Sequence, residues 1–270
     1  MSEVCRILDV ARSSVYYGKQ HPKRSRVEAK EKELVRRVLL EQNNSFGRRV
    51  VRRLLARRGV MLSEYKIGKI FKELGYVSKY GRRKGKNVNT SPHTAEYRKE
   101  NLLLQLSREQ RRRLTIWHMD FTEVKVREGK EYQCGIVSEG DRILTGLETS
   151  SRCTAAFAVE TVKKAIAVYG KPDIIHTDRG SQFMSKAFHD MMEAEGIEHS
   201  MSRAHTPGDN AEIETFWKSL KTEVCYTEEL RREEVKMIAR YFLKYYNTER
   251  PHSALDYLPP LVYKYLNIVI

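Results

Sequence analysis

The sequence predicts a mixed α/β core preceded by an all-α, strongly basic region. Three observations carry that reading. Apolar residues recur at helical spacing up to about residue 75, run strand-like from Leu114 to Thr149, and then alternate between helices and short strands. The charge divides along the same line: residues 1–113 hold 30 Lys and Arg against 11 Asp and Glu, and residues 114–270 hold 20 against 24. Finally, Asp120 stands inside the apolar run IWHMDFTEV, where a charge is costly unless paired or metal-bound.

Composition narrows the class. At 270 residues, 40% of them hydrophobic, the chain holds one sizeable core and a smaller module. No apolar run approaches the ~20 residues that span a bilayer, and the start MSEVCRILDV lacks the pattern of a signal peptide. Cys5, Cys134, Cys153 and Cys225 show no CxxC spacing, so neither a zinc site nor a disulfide framework is expected. A cytoplasmic protein is the expectation. The net charge of +15, concentrated in the front half, predicts a nucleic-acid-binding module joined to something else.

In chain order, residues 2–20 read as two short helices, and Arg26–Gln42 as a charged amphipathic helix. Val50, Val51, Leu54 and Leu55 define the next helix, which Gly59 breaks. Ser63 then caps a helix carrying Ile67, Ile70, Phe71 and Leu74, closed by Gly75. Arg48, Arg49, Arg52, Arg53, Arg57, Arg58, Lys66 and Lys69 surround this helix-turn-helix and are its expected DNA contacts. Residues 79–93 read as a mobile basic linker whose Arg82, Arg83 and Lys84 follow phosphates, with a short helix at Glu96–Gln105.

Strands are expected at Leu114–Val126, Tyr132–Val137 and Ile143–Thr149, a helix at Thr154–Tyr169, and a strand at Pro172–Thr177. A helix at Ser185–Glu195, a strand near Ile197–Met201 and a further helix follow. That is the element order of a ribonuclease-H-like fold. The domains expected are a helical DNA-binding region (1–78), a linker (79–110), the catalytic core (111–226) and a C-terminal helical extension (227–270). In that extension Pro251 and Pro259–Pro260 rule out one continuous helix, and Asn247, Arg250 and His252 are read as structural caps.

The candidate chemistry lies in HTDRGSQF and SMSRAHTPGDNAEIETFWKSLK. Asp178 and Glu214 have 35 residues between them, and with Asp120 they form three carboxylates able to converge from two strands and a helix. Such a set suits two divalent cations, ~3.5–4 Å apart, in phosphodiester chemistry. Helical phase chooses Glu214 over its neighbours: it shares a flank with Lys218 and Lys221, which are expected to hold DNA phosphates. Asp209 is read as the helix N-cap, with Glu212 closing a capping box. His176 is read as a satisfied strand-end histidine.

The ordered motifs W-x-x-D-x-T, H-x-D-x-G-x-Q-F, S-M-S, D-N-A-x-x-E, L-K-x-E and Y-N-x-x-R-P-H-x-x-L resemble bacterial insertion-sequence transposases. More narrowly the chain resembles the second-frame (OrfB) product of two-frame elements, with a retroviral-integrase-like catalytic core, over nearly its whole length. The resemblance implies a DD(E) transposase with Asp120, Asp178 and Glu214 as catalytic metal ligands and Mg²⁺ or Mn²⁺ as cofactor. Water would cut an element end, and the freed 3′-hydroxyl would attack a second phosphodiester, commonly at the other end of the element. It implies double-stranded DNA as partner (end repeats and target), a homo-oligomer on that DNA, and a first-frame (OrfA) product as a further partner. One departure is Ser138, where the family usually has Asp. The rival readings are a catalytically decayed copy that only binds DNA, and a ribonuclease-H-like nuclease or resolvase. Neither a resolvase nor a pure DNA-binding regulator uses both the basic helices and the three placed acids.

Overall fold

Strand β1 (Ile116–Val126) decides the architecture of the larger part of the molecule, because its two faces carry different chemistry. The computed structural model describes residues 27–81, 99–204, 206–224, 226–227 and 229–268. The helices expected within residues 2–20, and Arg82, Arg83 and Lys84, lie outside the described residues. The chain divides into two compact units between Ser78 and Lys79.

In the first unit, α1 (Ala29–Glu41), α2 (Arg48–Arg57) and α3 (Glu64–Glu73) enclose one small core. Val35, Val38 and Leu39 on α1 meet Val51 and Leu55 on α2 and Ile67, Ile70 and Phe71 on α3. Each such burial contributes roughly 1.5–3 kcal/mol, which three short helices need because alone they are marginal in water. Gly59 supplies the turn after α2 at φ +77°, and the Ser63 hydroxyl accepts from Lys66 N at 3.2 Å to start α3. Tyr76 OH donates to Phe46 O at 2.8 Å, and Ser78 Oγ to Ser45 O at 2.9 Å, closing the unit on itself.

In the second unit β1, β2 (Gly129–Ser138) and β3 (Leu144–Ser150) form an antiparallel meander. Strands β4 (Ile174–Thr177) and β5 (Glu198–Met201) extend the sheet parallel to β1, giving the order β3-β2-β1-β4-β5. Trp117 and Met119 of β1 and Ile175 of β4 point to one face, where Ala158 and Val162 of α5 (Ala155–Tyr169) and Phe188 of α6 (Lys186–Glu195) cover them. The other face is covered by α7 (Ala211–Glu223) and α8 (Arg232–Thr248), with Ile213, Phe216, Leu220, Phe242 and Tyr246 packed on Val137 and Leu144. This is the ribonuclease-H-like arrangement. No helix among the described residues is long and apolar enough to cross a membrane.

Two local expectations need correction. Of the segment expected at Glu96–Gln105, the described residues form a single tight turn at Leu102–Leu104, and the helix of this region is instead α4 (Arg108–Arg113). Its start is a capping box: Ser107 Oγ accepts from Gln110 N at 3.2 Å and Gln110 Oε1 accepts from Ser107 N at 2.8 Å. Pro259–Pro260 interrupt the tail as expected, but Pro260 opens a final helix, Pro260–Ile268, because a first-turn proline lacks only an N–H that has no helical partner.

The C-terminal motif residues are structural. Asn247 pairs with both backbone groups of Leu144 at 2.9 Å, acting as a strand-edge partner from α8. Arg250 is buried, its Nε donating to Glu223 Oε1 at 2.8 Å and its Nη2 to Tyr80 OH at 2.8 Å and Ser219 Oγ at 3.1 Å. The end of α7 is thereby tied to the tail by a desolvated ion pair. Removing one partner of such a pair strands the other, so Arg250→Leu is expected to lower stability by about 3–5 kcal/mol. Denaturant unfolding measures it, and a loss below about 1 kcal/mol would show that Glu223 finds water or another partner.

Candidate active site

The alternation of β1 turns His118 and Asp120 toward α7 while Trp117 and Met119 enter the opposite core. The parallel register of β4 matches His118 with His176 and Met119 with Thr177. One position further along, that register sets Asp120 beside Asp178. Both carboxyls are pushed up by burial. Asp120 is raised to about 7, by burial first and by the Asp178 charge second. A backbone and an indole N–H oppose that rise. Asp178 Oδ1 accepts from Gly180 N at 2.9 Å. A Cβ at Gly180 would sit 3.1 Å from that oxygen, so glycine permits the close approach.

Helix α7 brings its polar flank to this pair. Trp217 Nε1 donates to Asp120 Oδ2 at 3.0 Å. Lys221 acts electrostatically on the same carboxylate, and its own ammonium is pulled down by burial. At about 100° per residue, Glu214, Trp217, Lys218 and Lys221 occupy one third of the helix circumference. Glu214 is exposed on that flank, one turn before Trp217. Among the described residues, no three His, Cys, Asp or Glu side chains stand close enough together to hold a metal ion as placed. The structure thus juxtaposes Asp120 and Asp178 and puts Glu214 on the facing helix, the three as they stand not forming a metal-holding cluster among the described residues.

The motif residues between these acids hold the frame. His118 joins Asn210 Oδ1 at 2.8 Å and Glu139 Oε2 at 2.9 Å. Glu139 accepts twice from Arg111, at 2.9 and 2.7 Å. Burial raises the Glu139 carboxyl, but bonds from His118 and Arg111 outweigh it and bring it down to about 2. Asn210 Nδ2 reaches Met119 O at 3.4 Å, so the start of α7 is fastened to β1 next to Asp120. None of this network was expected from sequence; its signal was the Asn in D-N-A, paired with a His two residues before the first acid. His176 is satisfied as expected, by Ser200 Oγ at 2.8 Å and Ser202 Oγ at 3.0 Å, which explains the S-M-S motif.

The acids set aside by helical phase have occupations other than the expected ones. Asp209 does not cap α7: Asn210 occupies that position and its side chain makes no capping bond. Asp209 instead accepts from Arg203 N, Nε and Nη2 at 2.9–3.0 Å and from Asn101 Nδ2 at 2.9 Å. The guanidinium bond holds it well below the usual carboxylate range. Glu212 closes no capping box and pairs with Arg142. Glu223 is buried on Arg250.

In the helical unit, several expected DNA contacts have intramolecular partners. Lys66 pairs with Glu31 and Arg58 with Glu41. Arg49 and Arg52 lie 3.7 and 3.6 Å from Glu64, exposed pairs of small energy that a phosphate can replace. Arg48 packs its side chain over Gly68, and Lys69 lies over the Tyr65 ring at 5.0 Å.

The neutral histidines carry a pH dependence. Burial lowers His199 from 6.5 to about 4, with Thr177 Oγ1 as its partner at 3.0 Å. The unfolded chain therefore binds a proton more readily than the folded one between these values, and stability falls as pH drops from about 6.5 toward 4. This residue accounts for up to about 3 kcal/mol of that loss. Melting curves of His199→Gln across pH 4–7 are expected to be flatter than those of the unaltered chain; curves that remain parallel would assign the acid sensitivity elsewhere.

Integrase core domain models match residues 110–207 and 195–260. The transposase for insertion sequence element IS904 of Lactococcus lactis is 31% identical over 232 residues, spanning 84% of this chain and 90% of that protein. The 31 kDa protein of insertion element IS600 from Shigella sonnei is 28% identical over 267 residues, 97% of each chain. Among solved structures, the HTLV-2 integrase catalytic core domain in complex with magnesium is 19% identical, with a TM-score of 0.45, over 55% of this chain and 94% of that one.

Proposed function

The chain belongs to the insertion-sequence transposases, and from that premise we propose that Asp120, Asp178 and Glu214 are its catalytic carboxylates, acting on the DNA ends of its element. The observation that carries the reading is the Asp120–Asp178 pair facing α7, with Asp120 half-buried on β1 and Asp178 open to solvent just past the end of β4. Desolvation first and the Asp178 charge second make ionisation of Asp120 costly and raise it to about 7. Oxygen donors of this kind suit a hard divalent cation, Mg²⁺ or Mn²⁺, whose charge would let both aspartates ionise. Asp120 and Asp178 would hold it, with Glu214 approaching from α7 when the site is loaded and a second ion sharing the set. When bound, the cations supply activation of the attacking oxygen and neutralisation of charge at phosphorus.

The protein groups then do the positioning. Lys221 and Lys218, on the flank of Glu214, take DNA phosphates beside the carboxylates, as point charges on flexible stems. Water breaks one phosphodiester and leaves a 3′-hydroxyl; that hydroxyl attacks a second phosphodiester and displaces its 3′-oxygen. The Asn210–His118 bond keeps α7 on β1 while DNA is bound. The expected consequence is that Asp120→Asn, Asp178→Asn and Glu214→Gln each abolish Mg²⁺-dependent cleavage and strand transfer while DNA binding persists. Glu212→Gln retains both, losing about 1 kcal/mol of stability, as a half-exposed ion pair would. An active Glu214→Gln with a dead Glu212→Gln would put the wrong flank of α7 in the site.

The helical unit serves the ends of the element. Arg48, Arg49, Arg52, Arg53, Arg57 and Lys69 would face phosphates, joined by Arg82, Arg83 and Lys84, whereas Lys66 and Arg58 hold helix to helix. A fragment of residues 1–90 is expected to bind duplex DNA with an affinity that falls steeply as salt rises, because each phosphate contact releases condensed counterions. Binding in gel shift at low salt by the full chain alone, with none by the fragment, would move the DNA-binding surface elsewhere. A second copy of the chain at the other element end, and a first-frame partner, complete the proposed assembly.

A further inference from the structure

Trp217 has one polar atom, and the chemistry of that atom is fixed: an indole N–H can only donate. The side chain is 6% exposed, so the N–H has to find an acceptor inside the protein. It donates to Asp120 Oδ2 at 3.0 Å. The ring has little freedom to do otherwise. Gly135 stands directly opposite Asp120 in the β1–β2 pairing. A Cβ added there would come within 2.9 Å of Trp217 Cζ2 and Cη2 and 3.0 Å of Phe216 Cε1. Phe216 bounds the indole on another side, with ring centroids 4.8 Å apart. The missing side chain of Gly135 is therefore the space the indole occupies, and that space lies across the strand from the carboxylate it binds.

We infer that Trp217 is a positioning residue for Asp120: its N–H holds Oδ2, and the Gly135 gap holds the ring, so that the carboxylate plane is set before a cation arrives. This rests on the reading of Asp120 as a cation ligand. A carboxylate has about four lone-pair sites. The indole N–H and the Phe121 backbone N–H use about two of them and leave the others for a divalent ion. Without the donor the carboxylate turns about its last torsion, and part of the binding energy goes into stopping it. Groups that orient a metal ligand in this manner typically change affinity or activity about 10–100-fold when removed. The arrangement also gives α7 a direct hold on the acid of β1, on the same flank that carries Glu214.

The test is Mn²⁺ binding by the full chain, followed by the loss of the free-ion electron paramagnetic resonance signal, for the unaltered protein, Asp120→Asn, Trp217→Phe and Gly135→Ala. Phenylalanine keeps most of the ring packing and removes only the donor; Gly135→Ala keeps the indole and displaces it. Asp120→Asn is expected to lose binding. Trp217→Phe and Gly135→Ala are expected to bind about 10–100-fold more weakly, and cleavage by Trp217→Phe to recover as Mn²⁺ is raised. If Asp120→Asn loses Mn²⁺ while Trp217→Phe binds within twofold of the unaltered chain, Trp217 only fills space and the inference is wrong. If Asp120→Asn binds Mn²⁺ normally, the assignment of Asp120 fails first and the role of Trp217 falls with it. Should Gly135→Ala not fold, Trp217→Phe decides alone.

Discussion

Two carboxylates side by side, one on the central strand β1 and one just past the end of β4, are an electrostatic problem that the rest of this structure is arranged around. Burial and mutual repulsion both favour the neutral acid, and Asp120 is raised to about 7 as a result. Nearby groups relieve the strain only partly: an indole N–H, a backbone N–H and a lysine on α7. On the proposed reading, a divalent cation completes the charge balance of this pair. Such perturbation concentrates at functional sites, and here it falls on the two aspartates of the D-x-T and D-x-G motifs.

Around that pair the structure spends its polar chemistry on keeping α7 in place. The helix is fastened at its start by Asn210 to His118 and Met119 O, along its length by Trp217 to Asp120, and at its end by Glu223 to Arg250. Each attachment uses a buried group whose alternative partner would be missing, so each resists slippage more than its net energy suggests. The tail beyond α8 thus acts on the site through Arg250 without touching it. The helical unit, by contrast, has a small core of its own.

Much of this was legible in the residues. Strand periodicity placed Asp120 on the central strand, and parallel pairing of β4 with β1 put Asp178 next to it. Helical phase separated Glu214 from Glu212, although the reason differed from the one expected: Glu212 pairs with Arg142, and Asp209 locks Arg203 and Asn101. Capping rules are local, whereas both acids found stronger charged partners brought close by tertiary folding. Partnership across the chain is what sequence spacing cannot report. The His118–Asn210 and Trp217–Asp120 bonds span 92 and 97 residues, and Gly135 looks like any strand glycine until the indole is laid over it. The Arg108–Arg113 helix was hidden by its charge, since its only helical signal is the Ser107–Gln110 capping box.

The most direct measurement of the account is a crystal structure of the full chain grown with Mn²⁺, with the ion located by its anomalous scattering. The account predicts density bounded by carboxylate oxygens of Asp120 and Asp178, with Glu214 drawn in from α7 and Glu212 still on Arg142. An ion held without Asp120, or held by Glu212 in place of Glu214, would contradict it.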